Sequence, residues 1–141
     1  MAYSGRFVPK NPKKYLGDST NIWYRSLWER RVMVHLDDNI NVLEWSSEEI
    51  VIPYLSPLDN RYHRYFPDFF VRTKTGAMIL EVKPMSQSVK PKVKKKVTKA
   101  YINEVATYGV NQAKWDAAIE YCKDRGWKFK VITENELFGK K

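Results

Sequence analysis

YFPDFFVRTKTGAMILEVK, residues Tyr65 to Lys83, decides how the chain is read. Phe66, Phe69, Phe70 and Val71 predict one apolar strand, and Ala77 to Val82 predicts a second, with Met78 and Leu80 alternating against Ile79. Lys74-Thr75-Gly76 is the turn between them, and Pro84 ends the second strand. The nearly continuous apolar character predicts strands covered on both faces. Apart from Arg72 and Lys74 at the turn, charge enters at three places. Asp68 opens the first strand, and Glu81 and Lys83 lie two apart near the end of the second.

Side chains alternate along a strand, so Glu81 and Lys83 share one face while Val82 points away. If the two strands pair antiparallel through the short turn, Asp68 and Glu81 meet across the ladder. Two neighbouring carboxylates repel unless a cation lies between them. Magnesium suits such a pair, because it takes hard oxygen ligands, keeps several waters and borrows phosphate oxygens. Lys83 is then placed to stabilise an anionic transition state or to orient the attacking water. Taken alone the pattern is short, and acids with a nearby lysine are often surface ion pairs.

Upstream, Asp18, Ser19 or Thr20 can cap a helix over about Asn21 to Leu36. Trp28, Val32, Met33 and Leu36 share one of its faces, and Glu29 projects from that face. A buried acid needs a cation or a hydrogen-bonding partner. Either Glu29 joins the metal site, or it pairs with Arg25 one turn earlier. Val42 to Trp45 and Glu49 to Tyr54 predict two short strands, the latter with Pro53 marking an edge. Glu48 and Glu49 read as surface residues, His35 as structural. His63 and Arg64 lead into the central stretch, with Arg64 able to contact a phosphate or pair with a neighbouring acid. Residues 1–20 carry Gly5, Pro9, Pro12 and Gly17 and predict a basic, irregular arm, with Tyr3, Phe7 and Tyr15 available for packing. The rest, residues 21–141, reads as a single domain.

Downstream, MSQSVKPKVKKKVTK holds Lys90, Lys92, Lys94, Lys95, Lys96 and Lys99, six lysines in ten residues. This run is either a phosphate-contacting loop or the solvated start of a helix with Tyr101, Val105 and Tyr108. Asn111 to Arg125 predicts a further helix with Trp115, Ala118, Ile119 and Cys122 inward and Gly126 as its cap. Cys122 therefore reads as core. WKFKVI, Trp127 to Ile132, predicts the last strand, Leu137 and Phe138 close the fold, and Lys140-Lys141 gives a basic end.

The whole chain has 141 residues, 43% of them hydrophobic, and a formal net charge of +9 from 25 basic and 16 acidic side chains. That is long enough for one domain with a real core, and the excess charge favours a polyanionic partner through counterion release. No apolar run reaches the roughly 20 residues of a membrane span, and the start lacks the apolar core of a signal peptide. The single cysteine excludes an internal disulfide and a multi-cysteine zinc site. An intracellular setting is the expectation.

Ser26-Leu27-Trp28-Glu29, Pro67-Asp68-Phe69 and Glu81-Val82-Lys83 together resemble the PD-(D/E)xK, restriction-endonuclease-like nucleases. Within them, the pattern is similar to the transposase-subunit-A-type catalytic domains, in which a helix glutamate precedes the D and E-x-K strands. MAYSGRFVPKNPKKY, EWSSEEIVIPY and HRYFPDF further resemble the head-completion nucleases of large contractile-tailed phages, a likeness that spans nearly the whole chain. The resemblance implies an α/β fold with an αβββαβ core, its central mixed sheet flanked by helices. It implies DNA cleavage dependent on Mg2+, with Mn2+ as substitute. Glu29, Asp68 and Glu81 would be metal ligands, Lys83 would assist catalysis, and Gln112 would approach the centre from the later helix. The implied role is processing of packaged DNA ends before tail joining, in the host cytoplasm, alongside head or neck proteins and with a possible place in the virion. Two other tasks compete: a repair, junction-resolving or transposition nuclease of the same fold, and a non-catalytic head plug that holds DNA on its basic surface.

Overall fold

The computed structural model describes residues 3–139; the basic end at Lys140-Lys141 lies outside them. Its elements are β1 (Gly5–Phe7), a 3-10 turn (Pro12–Lys14), β2 (Ile22–Tyr24), α1 (Leu27–Asp38), β3 (Val42–Ser47), β4 (Ile52–Leu55), β5 (Tyr62–Tyr65), β6 (Phe69–Thr73), β7 (Gly76–Val82), α2 (Met85–Ser88), α3 (Lys99–Arg125), β8 (Lys128–Ile132) and α4 (Glu134–Phe138).

Four strands form the central sheet in the order β3-β6-β7-β8. β3 and β7 run antiparallel to β6, and β8 runs parallel to β7. The parallel pair needs a crossover, which α3 supplies. Taken with α1, the core sequence of elements is α1-β3-β6-β7-α3-β8, the αβββαβ arrangement, with the β4–β5 hairpin inserted after β3.

Alternation along β6 and β7 divides the core into two layers. Phe69, Val71 and Leu80 face α1 and pack with Val32, Met33, Leu36, Val42 and Trp45. Ile79 faces α3 and packs with Trp115, Ala118, Cys122 and the hairpin residues Ile52, Tyr54 and Tyr65. Trp45 is fully buried at the middle of the first layer, with Tyr15, Phe7 and Phe69 rings at 4.9, 5.9 and 6.4 Å. Cys122 is buried in the second layer, as its helical position requires.

Several boundaries differ from the sequence reading. α1 starts at Leu27, not Asn21, because Ile22–Tyr24 pair as β2 with Gly5–Phe7. Its cap is Ser26, whose hydroxyl accepts the Glu29 N–H at 3.2 Å. The N-terminal segment is also more ordered than an irregular arm. Phe7 and Tyr15 enter the core, and the buried Asp37 carboxylate accepts the backbone N–H groups of Lys10 and Asn11 at 2.7 and 3.1 Å. A carboxylate in α1 therefore ties the segment down, a link between distant residues that local propensity does not contain. The two helices expected on either side of Gly109 are one, α3, which runs through the glycine without a break. The strand expected over Glu49 to Tyr54 is shifted to Ile52–Leu55 by pairing with β5.

Candidate active site

The register of the β6–β7 hairpin positions the two acids. Phe69 pairs with Leu80, so one step further along the ladder Asp68 stands opposite Glu81. Their backbones and side chains interlock. Glu81 Oε1 accepts the Asp68 N–H at 3.2 Å, and Asp68 Oδ2 accepts the Val82 N–H at 2.8 Å. Glu81 is only 5% exposed, whereas Asp68 is half-buried as a residue with its carboxyl enclosed. Burial first, then repulsion from Glu81 and Glu29, pushes the Asp68 pKa well above the usual carboxylate range. Burial also raises that of Glu81, opposed in part by the adjoining Tyr65 hydroxyl and then by Lys83, the Asp68 N–H and Lys114.

The acids open into a cavity of about 220 Å³ that is also lined by Arg25, Glu48, Arg64, Lys83 and Lys114. Lys83 is fixed by its own backbone, whose N–H donates to the Ile132 carbonyl at 2.9 Å. Lys114 comes from α3 and lies over the rings of Tyr65 and Tyr54, at 5.6 and 5.7 Å. The Tyr65 hydroxyl is buried against Glu81 but outside hydrogen-bonding geometry, and burial drives its pKa upward.

Glu29 sits in the first turn of α1, where its Oε1 accepts the Arg25 N–H at 3.1 Å. Its charge is felt at Asp68, yet it does not line the cavity. The ion pair expected between Glu29 and the Arg25 side chain is not formed; only the Arg25 backbone N–H meets Glu29. The Arg25 guanidinium instead pairs with Glu48. Glu48 is the acid that the sequence reading assigned to the surface. It is half-buried, and its N–H donates to the Asp68 carbonyl at 3.1 Å. Its φ of 55° is left-handed, a conformation that costs a non-glycine residue about 1 kcal/mol or more and concentrates at functional sites. A positive φ is invisible in sequence without a glycine or asparagine to flag it.

On α3 the residue reaching the cavity is Lys114; Gln112, two positions earlier, is not among those lining it. Arg64 is at the cavity, with its guanidinium over the Phe66 ring at 5.8 Å. Lys90, Lys92, Lys94, Lys95 and Lys96 lie on the exposed crossover between α2 and α3, and Lys99 opens α3. None of the six lines the carboxylate cavity. Lys94 pairs with Glu104 at 3.5 Å. His63 pairs with Asp59 at 2.8 Å, away from the acids.

Among the described residues, no three acid, histidine or cysteine side chains converge as a closed metal cage. Magnesium does not need one. One or two carboxylates, waters and substrate phosphate oxygens complete its shell. Two adjacent, mutually repelling carboxylates fit that demand, because a divalent cation favours the charged form that burial opposes. Each carboxylate gives one oxygen to the backbone bonds described above, which leaves its second oxygen for a cation.

Comparison with known proteins places the chain in a family. The model of the family described as "TnsA-like endonuclease N terminal" matches residues 39–134, a span that contains Asp68, Glu81 and Lys83 and begins after Glu29. The head completion nuclease of Enterobacteria phage T4 is 39% identical over 142 residues, covering 97% of this chain and 95% of the relative. With a paired-acid hairpin, a neighbouring lysine and a family match over most of its length, the chain belongs to the TnsA-like endonuclease family.

Proposed function

We propose that this protein is a divalent-cation-dependent DNA endonuclease that acts in phage head completion, trimming the ends of packaged DNA before the tail is joined. The observation that carries this reading is the Asp68–Glu81 pair, held side by side under Lys83 in a cavity rimmed by Arg25, Arg64 and Lys114. The near full-length likeness to a head completion nuclease supports the biological setting. The expected place of action is the host cytoplasm during assembly, next to other head or neck proteins. Retention in the virion is part of the same proposal.

Asp68 and Glu81 would hold the cation, and Glu29 would bias their charge from the first turn of α1. When bound, Mg2+ or Mn2+ supplies Lewis acidity toward a phosphoryl oxygen and a more acidic water. The side chains do the rest. The interlocked backbone bonds keep the two carboxylates from rotating away, so little reorganisation is needed when substrate arrives. Lys83 and Lys114 present positive charge where the scissile phosphate becomes more negative. Arg25 and Arg64 grip phosphate at the rim, and the crossover lysines attract the DNA from a distance.

Purified protein should nick supercoiled plasmid DNA in magnesium or manganese and not in EDTA. Asp68→Ala should abolish nicking, and phage carrying it should accumulate heads unable to accept tails. Absence of nicking on supercoiled, linear, branched and single-stranded DNA alike would sink the enzymatic reading. Retained assembly with Asp68→Ala, combined with loss of assembly on neutralising Lys94, Lys95 and Lys96, would establish a DNA-holding plug instead.

A further inference from the structure

The β4–β5 hairpin is packed on one face and open on the other. Ile52, Tyr54 and Tyr65 point into the core against α3. By alternation, Pro53, Leu55, Tyr62 and Arg64 stand on the opposite face, where Pro53 pairs with Arg64 and Leu55 with Tyr62. Tyr62 is 75% exposed and Leu55 44%. Phe66, 40% exposed, follows the end of β5 and lies under the Arg64 guanidinium. None of these residues is acidic, and Arg64 and Phe66 themselves line the Asp68–Glu81 cavity. The open face therefore runs without interruption into the candidate active site.

Exposed apolar rows on a sheet mark interaction surfaces. Here the row combines flat aromatic rings with a guanidinium and adjoins a phosphate-directed centre. Rings stack on any base because every base has a π-face, and arginine pairs the phosphates between. Paired bases within a duplex have their faces covered, so only unpaired nucleotides can use such a row.

We propose that the open face of the β4–β5 hairpin is a platform for unpaired nucleotides next to the scissile phosphate. The favoured substrate is then DNA with a single-stranded segment abutting the cut, such as a frayed end or a branch. This inference rests on the nuclease reading above and specifies its substrate class.

Fluorescence anisotropy in EDTA, where no cutting is expected, tests the platform. The probes are a blunt duplex and the same duplex with a single-stranded tail. The tailed duplex should bind about tenfold more tightly, the scale of one stacked base. Tyr62→Ala should remove that advantage and leave the blunt duplex unaffected, while Tyr62→Phe should keep it. Leu55→Asp, which brings an anion onto the row, should weaken tailed binding as well; a thermal melt of each variant verifies folding. Equal affinity for the two probes, or a tail advantage that survives both Tyr62→Ala and Leu55→Asp, overturns the proposal and assigns the face to another occupant, such as a protein. Plasmid nicking by the wild type in magnesium is scored separately. Its absence defeats the nuclease reading, whereas the tail comparison alone decides the platform.

Discussion

Asp68 and Glu81 hold one another through the backbone as well as by position: the Asp68 N–H donates to Glu81, and the Val82 N–H beside Glu81 donates to Asp68. The lock keeps two anions together in a place where burial and repulsion both disfavour charge. Relieving it should strengthen the fold while ending function. Asp68→Asn is expected to lower nicking by at least about a thousandfold, on the scale of lost electrostatic catalysis. In metal-free buffer at neutral pH the same variant should melt higher than wild type. An unchanged or lower melting temperature would show that the pair is not under electrostatic strain.

The sign of the pH dependence follows from the same pair. Folded-state pKa values above the unfolded ones mean that the native protein holds more protons. Metal-free stability should therefore fall as pH rises from about 4, the ordinary carboxylate value, through the raised values of the folded state. A bound divalent cation reverses this, since it competes with those protons and binds better as pH rises. Thermal melts across pH with and without magnesium should diverge toward alkaline pH. Parallel curves would count against Asp68 and Glu81 as the cation site.

Asp37 is 2% exposed and is the anchor of the N-terminal segment. Asp37→Ala leaves two backbone N–H groups without their acceptor, at a cost of about 2–4 kcal/mol. For a chain of this size that corresponds to a melting temperature lower by roughly 10 °C. Urea unfolding followed by tryptophan fluorescence checks it, because Phe7 and Tyr15 pack against Trp45. Loss of the anchor should also increase proteolysis within the N-terminal segment.

The crossover lysines lie apart from the acids, so their effect should be on association rather than on chemistry. Replacing Lys94, Lys95 and Lys96 by alanine should weaken DNA binding for all sequences alike. The slope of log affinity against log salt should shrink by about 0.9 for each phosphate that is no longer neutralised. Nicking at saturating DNA should stay near wild type. An unchanged salt slope would assign these side chains to solvent.

Much of the fold is written in local patterns. The 2-residue alternation of Ala77 to Val82 identifies β7, and the stripe of Trp115, Ala118 and Cys122 identifies the second half of α3 without reference to anything distant, although Ile119, expected inward, is 49% exposed. The same holds for the pairing of Asp68 with Glu81, because the turn at Lys74 to Gly76 fixes the register of its own hairpin. What escaped were features created where remote segments meet. β2 exists because β1 returns to pair with it, and α1 accordingly starts later than its propensity allows. Glu48 reaches the cavity because its left-handed backbone redirects the chain at the end of β3.

The sequence by itself determined that two acids and a lysine sit on two strands joined by a short turn, so that antiparallel pairing brings them to one edge of a hairpin. Only the tertiary structure decided which cations and acids surround them. Arg25, Glu48, Arg64 and Lys114 come from four different segments, and no periodicity relates them. The same packing settled which side of the β4–β5 hairpin was buried. A two-stranded ribbon has two equivalent faces until a partner covers one, and α3 covers the face of Ile52, Tyr54 and Tyr65, leaving Leu55, Tyr62 and Arg64 open beside the acids.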